Sequence, residues 1–172
     1  MKKSLILLLF FLVVLVSYLI YDEFSFSPLS KSDFRQLVKE GNVSFNKTCS
    51  EDFIGTSIHG EVFDFYTYKT NKVAIEKDYP MITKWEHQKV TSATIIGKWR
   101  NCPIDAQTAS LFEASMLMVK NLNEAKCNDS FKNDLVNPNN YYSYVYFSAS
   151  EKYFLLYSSN RQELYYVRLK GL

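Results

Sequence analysis

The sequence predicts an α+β protein: an N-terminal transmembrane helix, then a mainly antiparallel β barrel or sandwich with a juxtamembrane helix and one amphipathic helix. Three observations lead there. An apolar run from Leu5 to Ile20 follows Lys2 and Lys3 and is closed by Asp22 and Glu23. Three segments rich in β-formers, Tyr141–Ser148, Tyr153–Ser158 and Leu164–Leu169, end the chain. Short polar breaks, Ser150-Glu151-Lys152 and Ser159-Asn160-Arg161, make them an antiparallel meander. Finally, the first of these segments has Tyr142, Tyr144 and Tyr146 on one face and Val145 and Phe147 on the other. A strand apolar on both faces is buried on both, so the domain closes as a barrel or sandwich, or a partner completes its sheet.

The N-terminal run justifies the first element. About 17 apolar residues make a helix of about 26 Å, near the lower limit for crossing a bilayer. The lysines before it and acids after it place the tip in the cytoplasm and the bulk of the chain in the periplasm, as a single-pass protein of the inner membrane. A cleaved signal peptide is the competing reading, but its apolar region is shorter. The nearest small-x-small site, Ser25-Phe26-Ser27, would leave Pro28 just beyond the cut. The chain therefore divides into a tip and anchor at 1–21, a tether at 22–31 and an extracytoplasmic domain at 32–172.

Beyond the anchor the elements follow in order. Ser30 or Ser32 can cap a helix carrying Phe34, Leu37 and Val38, stopped by Gly41. Residues 58–68 hold Val62, Phe63, Phe65, Tyr66 and Tyr68 and read as a strand. Thr70-Asn71 is a turn into a short strand at Lys72–Glu76, and Met81–Val90 fits either a strand or a helical turn. Thr91–Arg100 is another strand. Asp105 then caps the amphipathic helix, whose stripe is Ala109, Leu111, Phe112, Met116, Val119 and Leu122.

Charge excludes some functions. Without Lys2 and Lys3, 18 basic residues balance 18 acidic ones. A neutral exported part argues against direct nucleic-acid binding and against a polybasic lipid-binding face. Three cysteines in an oxidising compartment imply one disulfide and one free thiol. A helix between Cys102 and Cys127 would span about 30 Å, whereas a disulfide needs Cα atoms within about 7 Å. Cys49 is then one partner, with Cys102 favoured as the other and Cys127 next.

No nucleophile elbow, phosphate loop, metalloprotease helix or dinucleotide fingerprint is present. The expectation is a protein that is not an enzyme and needs no cofactor or metal. His59 and His87 are the side chains that titrate near neutrality, and His59 is the candidate pH sensor. Trp85 and Trp99 are candidates for lining a ligand cavity, with core packing as the plainer reading. Tyr142, Tyr144, Tyr146, Tyr165 and Tyr166 are candidates for a partner-binding face, since Tyr is enriched at interfaces.

The basic tip and span at Lys2–Tyr21, the helix at Ser32–Glu40, the strand–helix passage from Trp99 to Leu122 and the closing strands from Tyr141 to Leu169 form a distinctive order. This layout resembles the ToxS-like periplasmic partners of membrane-bound transcription activators, including the VtrC and PsaF/MyfF types. The resemblance lies in architecture and size. It implies an accessory protein that binds, stabilises and modulates the periplasmic domain of a single-span regulator with a cytoplasmic DNA-binding domain. It also implies a possible small amphipathic ligand within a shared barrel. The alternative is an envelope immunity or inhibitor protein that neutralises a secreted toxin or hydrolase.

Overall fold

A computed structural model of the chain describes residues 2–25, 27–39, 43–55, 60–121, 127 and 130–171. The elements are α1 (Lys2–Ser25), α2 (Lys31–Leu37), β1 (Phe45–Asp52), β2 (Val62–Thr70), β3 (Lys84–Trp85), β4 (Gln88–Lys89), β5 (Ile95–Asn101), α3 (Ala106–Asn121), α4 (Phe131–Asp134), β6 (Tyr141–Ser148), β7 (Glu151–Ser158) and β8 (Glu163–Lys170). Gly41, His59 and Leu122 lie outside the described residues, and with them the expected helix stop and pH sensor.

Six strands form one antiparallel sheet in the order β1-β2-β8-β7-β6-β5. The closing meander β6–β7–β8 is as expected. The closed barrel or sandwich is not: the sheet ends at β1 and β5. The strands are apolar on both faces because each face is covered by helix and irregular chain. One face, carrying Tyr66, Tyr68, Tyr153, Leu155 and Tyr166, packs under Leu29, Phe34, Leu37, Val73, Ile82 and Trp85. The other, carrying Phe63, Phe65, Phe154, Leu156 and Tyr165, packs under Phe112, Cys127, Phe131 and Leu135. Phe131 is fully buried, edge-on to Phe65 at 5.1 Å and to Tyr165 at 5.5 Å. Burying such a ring is worth about 1.5–3 kcal/mol.

Local chemistry sets the ends of the helices. Ser30 caps α2 in a capping box: its side chain accepts from the Asp33 backbone, and Asp33 accepts from the Ser30 N–H at 2.8 Å. Asp105 starts α3 by accepting the Thr108 N–H at 2.8 Å. Thr108 and Phe112, four residues apart, turn toward the sheet, whereas Ala109 of the expected stripe is exposed. The side chains of Met116 and Val119 are not among those described.

One further expectation is corrected, and an open choice falls to strand. Residues 72–76 join no sheet, since both edges of β2 are already taken by β1 and β8. Within 81–90 the chain folds as the β3–β4 hairpin, and Glu86 and His87 both take positive φ at its turn (44° and 69°).

The disulfide joins Cys49 to Cys127, 78 residues apart with Cα atoms 5.6 Å apart, and Cys102 is the free, buried thiol. The favoured pairing of Cys49 with Cys102 is therefore wrong. Cys102 follows β5 and Cys49 lies on β1, the two opposite edges of the sheet. Five strand spacings of about 4.8 Å separate them, far beyond the reach of a bridge. A bulge between Lys47 and Cys49 completes the explanation. Phe45 and Lys47 stand opposite Thr70 and Tyr68, but Cys49 and Glu51 stand opposite Thr67 and Phe65. One extra residue thus turns the second half of β1 to the face that holds Cys127.

The described side chains of α1, Leu7 to Tyr18, are all exposed. Among the described residues no helix is long and apolar enough to cross a membrane.

Candidate functional site

The chain leaves α1 at Ser25 and is held to the domain two residues later. Ser27 Oγ lies 3.0 Å from the Tyr68 hydroxyl, and Leu29 is buried. Phe34 of α2 packs edge-on against Tyr68 at 5.0 Å and stacks on Phe45 of β1 at 4.2 Å. This aromatic ladder fixes α2 against the start of the edge strand. Between them lies a cleft of about 360 Å³ lined by Lys31, Phe34, Arg35, Val43, Ser44, Phe45 and Asn46. Lys31 and Arg35, one helical turn apart, are both exposed at its rim. From the cleft β1 runs on as the last strand of the sheet, with alternate residues Asn46, Thr48, Ser50 and Asp52 exposed. An edge strand presents one row of backbone donors and acceptors for pairing with another chain.

The other edge is less open. The Trp99 N–H donates to the Tyr79 carbonyl at 2.8 Å, and Lys98 Nζ donates to the carbonyls of Asp78 and Pro80 at 2.7 and 2.9 Å. Residues 78–80 thus lie along β5 and occupy part of its free side.

A cluster of ionisable groups lies beneath the β3–β4 hairpin. Arg168 of β8 donates to Glu86 at 2.9 Å and to Asp64 of β2 at 3.0 Å. Tyr166 donates to Glu86 at 2.6 Å, Tyr66 to Asp64 at 2.9 Å, and Trp85 Nε1 to the Tyr166 hydroxyl at 3.1 Å. Burial pushes both carboxyls above the usual range, against the pull of Arg168 and the hydroxyls. Burial also drives the Tyr166 hydroxyl up, and Glu86 beside it adds to the rise. Desolvation disfavours the Arg168 charge, but Glu86 and Asp64 outweigh it and hold that charge firmly. The groups of the cluster satisfy one another, so its chemistry is that of a latch holding the hairpin to the sheet.

No family model, curated protein or solved structure matches this chain. Site assignment therefore rests on geometry.

The residues singled out from the sequence do not form one face. Tyr142, Tyr144 and Tyr146 share the α3–α4 side with Tyr165, whereas Tyr166, Trp85 and Trp99 lie on the α2 side. The sheet separates the two groups, because neighbouring residues on a strand point oppositely. Tyr142, Tyr144, Tyr165 and Tyr166 are buried and Tyr146 is half-buried, so they serve as core. Trp85 is fully buried under the hairpin, and Trp99 is buried with Nε1 donating to the Leu37 carbonyl at 2.8 Å. Neither borders the α2–β1 cleft. His87 is exposed at the hairpin turn. A second shallow cleft of about 240 Å³ lies over the disulfide, between Thr48, Thr67, Ser130 and Arg161.

Sequence reasoning passed over Lys31, Arg35, Asp64, Glu86 and Arg168. A signal for Arg168 existed: a charge between Val167 and Leu169 on a strand predicted to be buried demands a partner. The pairing of Lys31 with Arg35 at i and i+4 was equally legible, but only the cleft gives it meaning.

Proposed function

We propose that this chain is a membrane-anchored, extracytoplasmic binding protein that docks a partner by strand addition at β1. The observation that carries this reading is an edge strand with exposed residues along its whole length, set beside the exit of α1. The apolar sequence of α1 over its full length, with lysines at one end and acids at the other, supports its role as the anchor. The Cys49–Cys127 bridge supports an oxidising compartment. The partner best suited to the layout is the extracytoplasmic domain of a single-span transcription regulator. A strand from that domain, laid against β1, would gain backbone hydrogen bonds and cover its own exposed edge. Occupancy of the joint sheet would then set how the regulator assembles.

The test uses the full-length chain in its membrane, with a photo-crosslinking residue placed at Ser50 and, separately, at Ile95 on the opposite edge. The expected result is an adduct from Ser50 with a single-span protein bearing a cytoplasmic DNA-binding domain. An adduct with a secreted toxin or hydrolase would replace this reading with that of an inhibitor. Adducts from Ile95 alone would overturn the assignment of the docking edge.

A further inference from the structure

We propose that the cleft between α2 and β1 is a phospholipid site, with Lys31 and Arg35 holding the head-group phosphate and Phe34, Val43 and Phe45 receiving the first part of an acyl chain. This rests on the reading of α1 as the membrane anchor.

Place comes first. Ser27, two residues after the end of α1, is already bound to Tyr68, and Tyr68 carries the Phe34–Phe45 stack that floors the cleft. Two residues of extended chain reach about 7 Å. An α1 that crosses the bilayer therefore brings the cleft to the level of the head groups, with no long tether between.

Charge comes second. Among the described residues the cleft is lined by two cations and no carboxylate. The nearby acid on α2, Asp33, is buried and bound in the Ser30 cap, and Lys39 is paired with Glu76 at 3.2 Å. Among the described residues no ion pair engages Lys31 or Arg35. An exported part that is neutral overall thus concentrates two exposed cations at its membrane end. Arginine grips a phosphate through two parallel N–H groups, and lysine supplies a mobile point charge beside it.

Shape comes third. An apolar floor beneath a cationic rim matches an amphiphile rather than a free anion. The cleft of about 360 Å³ takes a head group and part of one chain, not a whole lipid.

The experiment uses the full chain in nanodiscs that contain phosphatidylglycerol bearing a photoreactive group near its glycerol. Adducts are mapped by mass spectrometry. The expected result is labelling of peptides covering Lys31–Lys39 and Val43–Lys47. Because each cation near a bilayer surface is worth about a fivefold gain in affinity, Lys31→Ala should lower that labelling about fivefold. Lys31→Ala with Arg35→Ala should lower it about thirtyfold, and both variants should keep the Cys49–Cys127 bridge on non-reducing gels. Labelling of α2 and β1 that survives the double substitution would mean mere proximity and overturn the site. Labelling confined to α1 would overturn the site while leaving the anchor in place. Labelling nowhere in the chain, α1 included, would overturn the anchor and the site together.

Discussion

Gly97 has one job, to leave room. A methyl at its Cα would meet the Tyr144 ring carbons at 2.5 Å, and Tyr144 is buried across the strand pair from it. Gly97→Ala must displace that ring or bend β5, an overpacking cost of about 1–3 kcal/mol readable in a urea titration. Asp105 governs a different property. The Tyr142 hydroxyl at 2.6 Å, the Thr108 N–H and Arg100 at 2.7 Å hold its carboxyl well below the ordinary range. A depressed acid stabilises the fold above its unfolded pKa, near 4, and that contribution is lost as pH falls toward its folded value. Asp105→Asn should therefore flatten the acid limb of a stability-versus-pH curve, and an unchanged limb would show that the contacts are screened away. Asp105 was legible as a cap from its place before an apolar stripe. Its second partner, Tyr142, was not, since nothing local ties residues 37 apart.

At the scale of elements, one arginine ties the hairpin to two strands of the sheet, beside the Tyr166 contacts to Glu86 and Trp85. Arg168, Glu86 and Asp64 are all largely buried. Removing one member of such a group leaves the others charged and uncompensated, at a cost of about 3–5 kcal/mol. Arg168→Met should show that loss at pH 7 and a smaller one at pH 5. The sign follows from the carboxyls: burial raises both and Arg168 pulls both down, so without Arg168 they rise further and the variant's folded state takes up protons first, recovering stability as pH falls. A deficit independent of pH would mean that the arginine matters for packing alone. The hairpin itself was poorly legible. Its two-residue strands are too short for any period to register, and Val73 and Ile82, which close the same face, sit in chain with no repeating pattern. The meander was legible because its turn residues fall at regular intervals between long runs of β-formers. Closure was misjudged for a related reason. Two apolar faces report that both sides are covered, and say nothing about whether sheet, helix or loop does the covering.

On the scale of the whole molecule, the Cys49–Cys127 bridge ties the edge strand to the segment between α3 and α4. A closed loop of 78 residues implies roughly 4–5 kcal/mol in the chain-entropy view, against about 2–5 kcal/mol for native bridges in general. Cys49→Ser or Cys127→Ser should lower stability by about that range and abolish the oxidised band on non-reducing gels. Cys102→Ser should leave the band intact, because burial pushes that thiol up to about 12 and keeps it out of exchange. The need for Cys49 in the bridge was readable from helix length. The choice between its two possible partners depended on strand order and on the bulge, neither of which has a local signature. That bulge also constrains any visitor to the sheet. A guest strand following β1 past Thr48 would find its neighbour's inward side exchanged in mid-course, so a segment of plain alternating pattern fits one half and mismatches the other. Only a guest that stops short, or that carries an extra residue of its own at the same level, keeps its apolar side covered throughout. The irregularity that brings Cys49 to its sulfur partner thereby disfavours a plainly alternating strand at this edge and suits a narrower class of sequence.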